Sequence, residues 1–469
     1  MDSTAALLHF RAIPLADRLN LSTGEMGNFS EYSLESKTGT PAVAAAGWGA
    51  WAVPDWTVLG GGAPYGEQLP PPQLLICFIL LVSIIRLLHI FQSPRKPEVT
   101  LGDSSDKNVI AEIVAGIPLL SEPYRPPPLW GKSGHVQTAA YGVLGHANLK
   151  RTADRRIRQV LPDGSTVVFD VFEPLCPHPS NRDITFTLTP GIANSSESNY
   201  IRTLVHSAQE GGYRCIVLNH LGALRDEKLT GSRIFCYGGI EELTAMMDWA
   251  MAEYRDTRFT PIGFSMGGNL TTLYVLSTKA DPEKSSRLMM GLSVGQGYCA
   301  LSSTPFYHDW TNGRRAYNYI ITENMKRLLR SHYAEVVEPH VKAGLVDEQR
   351  LWTATSIVAF DEQYNRKVFG FSSLESFYSW VSCLPRLQAS ERPLPIPMIF
   401  LNARDDPIVP EALWEPVREM CSQRDGVAFV LTAHGGHLGF LEGGSFSPKS
   451  VTWLDRFILQ MADSAVRTM

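Results

Sequence analysis

The chain has no Cys-x-x-Cys pair, no long basic run and no repeat of fixed period. The first two absences each remove a class. The seven cysteines (Cys77, Cys176, Cys215, Cys236, Cys299, Cys383 and Cys421) are odd in number and irregularly spaced. A structural zinc site therefore has no ligand pattern to rest on. Free, mostly buried thiols are the expectation, and they leave the compartment open. A formal net charge of -5 without a basic stretch offers no electrostatic footprint for nucleic acid. A cleaved signal peptide is missing too: the one long apolar run starts far from residue 1 and has no small-residue cleavage site. What remains is globular in composition, with 44% hydrophobic, 10% aromatic and 19% charged residues, which rules out disorder of the whole chain. At 469 residues, length alone suggests two or three domains, although α/β folds often run long as one unit.

Residues 1–72 differ from the rest. Between 38 and 72 they are rich in Gly, Ala and Pro, carry Trp48, Trp51 and Trp56, and show no sustained period. A disordered tail is expected. Residues 74–91 read LLICFILLVSIIRLLHIF, apolar from Leu74 to Ile85 except for Ser83. The stretch is close to the lower limit for a spanning helix and lacks a polar face, so residues 73–92 are expected to form a single-pass transmembrane anchor in the endoplasmic reticulum or plasma membrane. The flanking Arg86, Arg95 and Lys96 would place the catalytic part on the cytoplasmic side. Residues 93–149 read as a linker and N-terminal extension.

From residue 150 strands and helices alternate. Strand patterns fall at 157–161, 165–172, 184–189, 214–219, 259–264, 288–294, 398–401 and 427–431, with helical patterns at 200–209, 241–254 and 267–277. The turn Pro162–Asp163–Gly164 marks a hairpin. Such alternation indicates a mostly parallel sheet with helices on both faces. Between 302 and 393 the alternation stops and the chain becomes helical and aromatic, which reads as a cap or lid insertion. The α/β core thus comprises 150–301 and 394–469.

The chemistry concentrates in three places. Gly263–Phe264–Ser265–Met266–Gly267 has the G-x-S-x-G spacing between a strand and a helix. A nucleophile on so sharp a turn leaves no room for side chains two positions away, and the turn aims Oγ at the positive end of the helix. Ser265 is the expected nucleophile. The base is His437 in AHGGHLGF, with His434 as rival, in the loop after the last strand. Between them, Asp405 and Asp406 follow the strand at 398–401, and one of them should orient the imidazole. The chain order Ser, Asp, His agrees with each lying at its own strand end. Asp406 is preferred, because the following Pro407 holds it in an extended conformation. The oxyanion hole would take the Met266 N–H and, from the turn Pro190–Asn194, the Ile192 N–H.

With these residues in view, the segments PGIANSSESNYIRT, YRCIVLNHLGAL, GFSMGGN, NARDDPIVP and HGGHLGF resemble the α/β-hydrolase 4 family. WGKSGHVQTAAYG and FDEQYNRKVFGF fit as well, and the likeness runs from about residue 118 to 462. It implies an α/β-hydrolase fold with a helical cap and the triad Ser265, Asp406 and His437. It also implies hydrolysis of acylglycerols and short-chain esters and one N-terminal membrane anchor. The long tail departs from the short N-terminus of the family. The resemblance also puts the catalytic part on the non-cytoplasmic side, against the charge pattern, so orientation stays open. His178 and Asp183 have the H-x4-D spacing associated with acyltransferases in this family, within what reads as a polar loop. Of the Asn-x-Ser/Thr sequons, Asn194 and Asn269 sit too near the expected site to carry glycans; Asn20 and Asn28 require a lumenal tail.

The expectation is therefore a membrane-anchored serine hydrolase of lipid esters, monoacylglycerols first, with no metal or organic cofactor and no nucleic-acid partner. The rivals are an acyltransferase using the same nucleophile and a ligand-regulated membrane receptor that keeps the fold. Acyl chain, head group, a small-molecule regulator and oligomeric state are not specified by the sequence.

Overall fold

In the computed structural model, residues 72–89, 91–102, 108–144, 152–390 and 393–469 are described. The tail expected over 1–72, with Asn20 and Asn28, lies outside them except for its last residue. The chain divides into two units, Met1–Leu81 and Val82–Met469.

A helix spans Pro72–Leu88, with Arg86 in its last turn. It has 17 residues, and at about 1.5 Å per residue it is roughly 26 Å long, short of the ~30 Å hydrocarbon layer. Among the described residues no helix is long and apolar enough to cross a membrane. The single-pass span expected over 73–92 finds no support in this helix. His89, directly after the last helical residue, is in a left-handed conformation with φ 49°.

The second unit is built on a nine-stranded sheet in the order β1-β9-β8-β7-β6-β4-β5-β3-β2. The strands are β1 (Glu98–Leu101), β2 (Arg155–Val160), β3 (Thr166–Phe172), β4 (Ile184–Thr189), β5 (Arg214–Asn219), β6 (Arg258–Phe264), β7 (Gly291–Val294), β8 (Met398–Ala403) and β9 (Val427–Thr432). From β5 across to β9 all neighbours are parallel. β3 joins β5, and β2 joins β3, antiparallel. The parallel strands are covered on both faces, so they read as nearly unbroken apolar runs; every residue of β4, β8 and β9 is buried.

Alternation along each strand sends side chains to two cores. Ile399, Leu401 and Val430 face the helices Asn199–Glu210 and Trp453–Thr468. Met398, Phe400 and Phe429 face Glu241–Glu253, Met266–Ser277 and Glu411–Gln423. Between β7 and β8 the described chain is helical, from Ala300–Tyr307 to Leu384–Ala389, and builds its own core around Met325, Leu329 and Phe360.

The segment read as a linker contributes more than expected. β1 extends the sheet by pairing antiparallel with β9. The helix Val109–Ala115 packs under the C-terminal helix, where Ser464 donates to the Ile113 carbonyl. A further helix, Gly134–Leu144, reaches the loop after β9.

Parallel strands deliver their exits to one edge of the sheet. β5 lies on one side of β4 and β6 on the other, the kind of switch point beside which ligands of such sheets bind. The exits of β4, β6, β8 and β9 carry the candidate residues.

Candidate active site

Ser265 takes φ 52° and ψ -118° between β6 and the helix Met266–Ser277. A non-glycine residue held in this region costs about 1–3 kcal/mol, and the surroundings enforce it. Its N–H donates to the Val294 carbonyl at 2.7 Å. A Cβ on Gly263 would stand 2.1 Å from the Gly267 oxygen, and one on Gly267 would stand 1.9 Å from the Thr189 oxygen. Both glycines of the motif are therefore required by close backbone approach.

The Asp406 side chain has no solvent exposure. Its Oδ1 accepts the Ile408 N–H at 2.7 Å and the Val409 N–H at 2.9 Å. Pro407, which lacks an N–H, lies between Asp406 and these donors. Oδ2 is left for Nδ1 of His437, 2.8 Å away. On the other side of the ring, Nε2 lies 2.9 Å from Ser265 Oγ. With the proton on Nδ1 donated to the carboxylate, Nε2 is free to accept the serine hydroxyl.

Asp405 and His434 lie outside this relay. Asp405 Oδ1 accepts the Gly436 N–H at 2.8 Å. His434 Nδ1 lies 3.6 Å from Asp405 Oδ2, beyond hydrogen-bond range. Burial pushes the Asp405 carboxyl above the usual carboxylate range, against the lowering pull of His434 and the Gly436 N–H. The neighbouring aspartates thus divide their work: one meets the ring of His437, the other the backbone of its loop.

The turn after β4 stands beside the nucleophile: a Cβ on Gly191 would lie 3.6 Å from Ser265 Cβ. The Gly191 N–H is taken by the Tyr200 hydroxyl at 2.8 Å. Asn194 Nδ2 holds the Ile192 carbonyl at 2.8 Å. These bonds leave the Ile192 N–H uncommitted among the described residues, and Met266 opens its helix, where an N–H has no intrahelical acceptor. Ile192 and Met266 are both partly buried against a cluster shared by the loop after β5 (Leu221, Phe235) and the helical insertion (Leu329, Phe360).

Sequence reasoning missed two supports of this turn. Tyr200 lies in the segment SNYIRT and His220 in NHLG, and neither has a distinctive local pattern. The buried His220 ring holds the Pro190 carbonyl through Nε2 at 2.9 Å. Burial keeps its pKa below the usual imidazole value, so it is a neutral donor. Asn194 is committed to Ile192 and Ser198. Asn269 is bonded to the carbonyls of Tyr237 and Val381. Both sequons are therefore engaged within the fold.

The H-x4-D pair is not brought to this site. Asp183 directly precedes β4, at the opposite edge of the sheet, and binds Arg214 at 2.6 Å. His178 Nε2 lies 3.4 Å from Asp463.

The chain matches the family model described as alpha/beta hydrolase fold over residues 185–444. It is 42% identical over 395 residues to abhydrolase domain-containing protein 2 of Drosophila melanogaster, covering 84% of this chain and 96% of that protein. It is 39% identical over 389 residues to a human protein named monoacylglycerol lipase ABHD2, covering 82% and 89%. A human protein named phospholipase ABHD3 is 28% identical over 378 residues, covering 79% and 85%.

Proposed function

The chain belongs to the α/β-hydrolase family, and from that premise we propose that it is a carboxylic ester hydrolase acting on lipid esters, with monoacylglycerols as the main substrates. The observation that carries the reading is the chain of hydrogen bonds from Asp406 through His437 to Ser265, at 2.8 and 2.9 Å. A serine hydroxyl is a weak nucleophile until a base takes its proton. His437 takes it as Oγ attacks the ester carbonyl, and Asp406 stabilises the imidazolium that forms. The Ile192 and Met266 N–H groups receive the negative charge on the carbonyl oxygen. His437 then returns the proton to the leaving glycerol oxygen. Water, activated by the same imidazole, releases the fatty acid and regenerates Ser265. The relatives named monoacylglycerol lipase support glycerol as the head group.

We also propose that the helix Pro72–Leu88 attaches the protein to lipid. Leu74, Ile76, Phe78, Leu80 and Leu81 are each more than half exposed, and contiguous exposed apolar surface of this kind marks an interaction site.

The test is a panel of monoacylglycerols, triacylglycerols and diacyl phospholipids presented to the full-length protein, with fatty-acid release measured. Monoacylglycerols should turn over fastest, and Ser265→Ala should remove the release. No release from any monoacylglycerol by the wild type would contradict the substrate assignment.

A further inference from the structure

The loop that carries His437 is built to need outside support. Between 435 and 440 it holds four positive-φ residues: Gly435 at 145°, Gly436 at 57°, Leu438 at 67° and Phe440 at 43°. The glycines take such angles without cost, but Leu438 and Phe440 are strained there and persist because neighbouring groups over-determine them. Those groups come largely from the helix Gly134–Leu144, which lies before the residues matched by the family model.

Thr138 Oγ1 accepts the backbone N–H of His437 itself at 2.8 Å. Its own proton goes to the Gly134 carbonyl at 2.7 Å, so its lone pairs are presented to the loop. Gln137, fully buried, fixes the far end: its Oε1 accepts the Leu441 N–H at 2.8 Å. The Gln137 amide is anchored in turn, donating to the Gly131 carbonyl at 2.6 Å and the Tyr124 hydroxyl at 2.9 Å. The contact is close throughout. A Cβ on Gly436 would lie 2.4 Å from the Gly134 oxygen and 2.7 Å from Thr138 Oγ1. The helix is thus seated on the glycine face of the loop.

We propose that Thr138 is a positioning residue for the catalytic base: its hydroxyl fixes the backbone of His437 so that Nε2 stays within reach of Ser265 Oγ, while Gln137 anchors the end of the same loop. The proposal rests on the reading of His437 as the base. Thr138 touches neither substrate nor the reacting atoms, so its whole effect passes through the imidazole.

The experiment uses the full-length protein and a soluble short-chain p-nitrophenyl ester, with kcat, KM and melting temperature measured for each variant. Thr138→Val keeps the shape and removes the acceptor. It should lower kcat by roughly 10- to 100-fold and leave KM within about threefold, since displacing a catalytic group by about 1 Å can cost about 10²-fold. Thr138→Ser, which restores the hydroxyl, should recover most of the rate. The double variant Thr138→Val/His437→Ala should be no slower than His437→Ala, because a group acting only through His437 has nothing left to act on. If Thr138→Val does not fold, Thr138→Ala takes its place. Unchanged kcat in Thr138→Val alongside a crippled His437→Ala overturns the positioning role and leaves the base intact. A further loss in the double variant also overturns it. Near wild-type activity in His437→Ala overturns the base assignment itself.

Discussion

The carboxylate of Asp406 meets Nδ1 of His437 at 2.8 Å from a position with no solvent exposure. Its neighbour Asp405 accepts the Gly436 N–H, one residue before that histidine. Two adjacent acids thus hold the same loop in different ways.

Asp406→Asn should cost on the order of 10³–10⁴ in kcat with little loss of stability, because the amide keeps the shape but favours the wrong imidazole tautomer; the estimate follows the corresponding change in a serine protease. Asp405→Asn retains an oxygen for the Gly436 N–H and should lose less than about tenfold, a hydrogen bond being worth roughly 0.5–1.5 kcal/mol. Kinetics on a soluble ester decide between them. A crippled Asp405→Asn with an active Asp406→Asn would exchange the two roles.

His437→Ala should match Ser265→Ala in loss of turnover. His434, whose ring lies beyond hydrogen-bond range of Asp405, should tolerate alanine with more than about a tenth of the activity retained, against the 10²–10⁴-fold typical of losing a general base. The ratio of the two residual rates is the measurement. The reverse order would move the base to His434.

The helical insertion carries a pH dependence. Asp361 is fully buried and accepts hydrogen bonds from Tyr378, Asn365 and Tyr237. Burial nevertheless pushes its carboxyl up to about 7, against those three bonds. Its unfolded value is near 3.8, so between the two values the folded state binds more protons than the unfolded one. Stability contributed by the neutral form is therefore lost as pH rises from about 4 to about 7. The buried Asp455, raised to about 6, acts in the same direction. Asp361→Asn should flatten the fall in melting temperature across that window and melt above wild type at pH 8. An identical pH profile in the variant would show that Asp361 is ionised throughout.

How much of this was legible in the sequence depends on the length of the pattern and on where the partner lies. β4 and β5 fall where the apolar runs place them, and Gly263, Ser265 and Gly267 announce a turn whose clashes the backbone confirms. The strand read over 288–294 is shorter: β7 begins at Gly291, and Leu288 makes only an isolated bridge to Phe259. β1 was missed because Glu98–Leu101 is four residues long, too short to show a period. Thr138, Gln137 and His220 were missed for another reason. Their partners are backbone groups distant in sequence, the bond from Thr138 to His437 spanning 299 positions. No local spacing records such a bond. The apolar run at 74–91 was read by composition alone, and composition does not show where the helix ends.

The most direct test of the central claim is covalent. The full-length protein should react with a fluorophosphonate, and peptide mapping should place the whole of the label on Ser265. In Ser265→Ala the label should vanish and ester turnover should fall by about 10³-fold or more, as for loss of other triad nucleophiles, with the melting temperature preserved. Label on another serine, or turnover surviving in Ser265→Ala, would contradict the account.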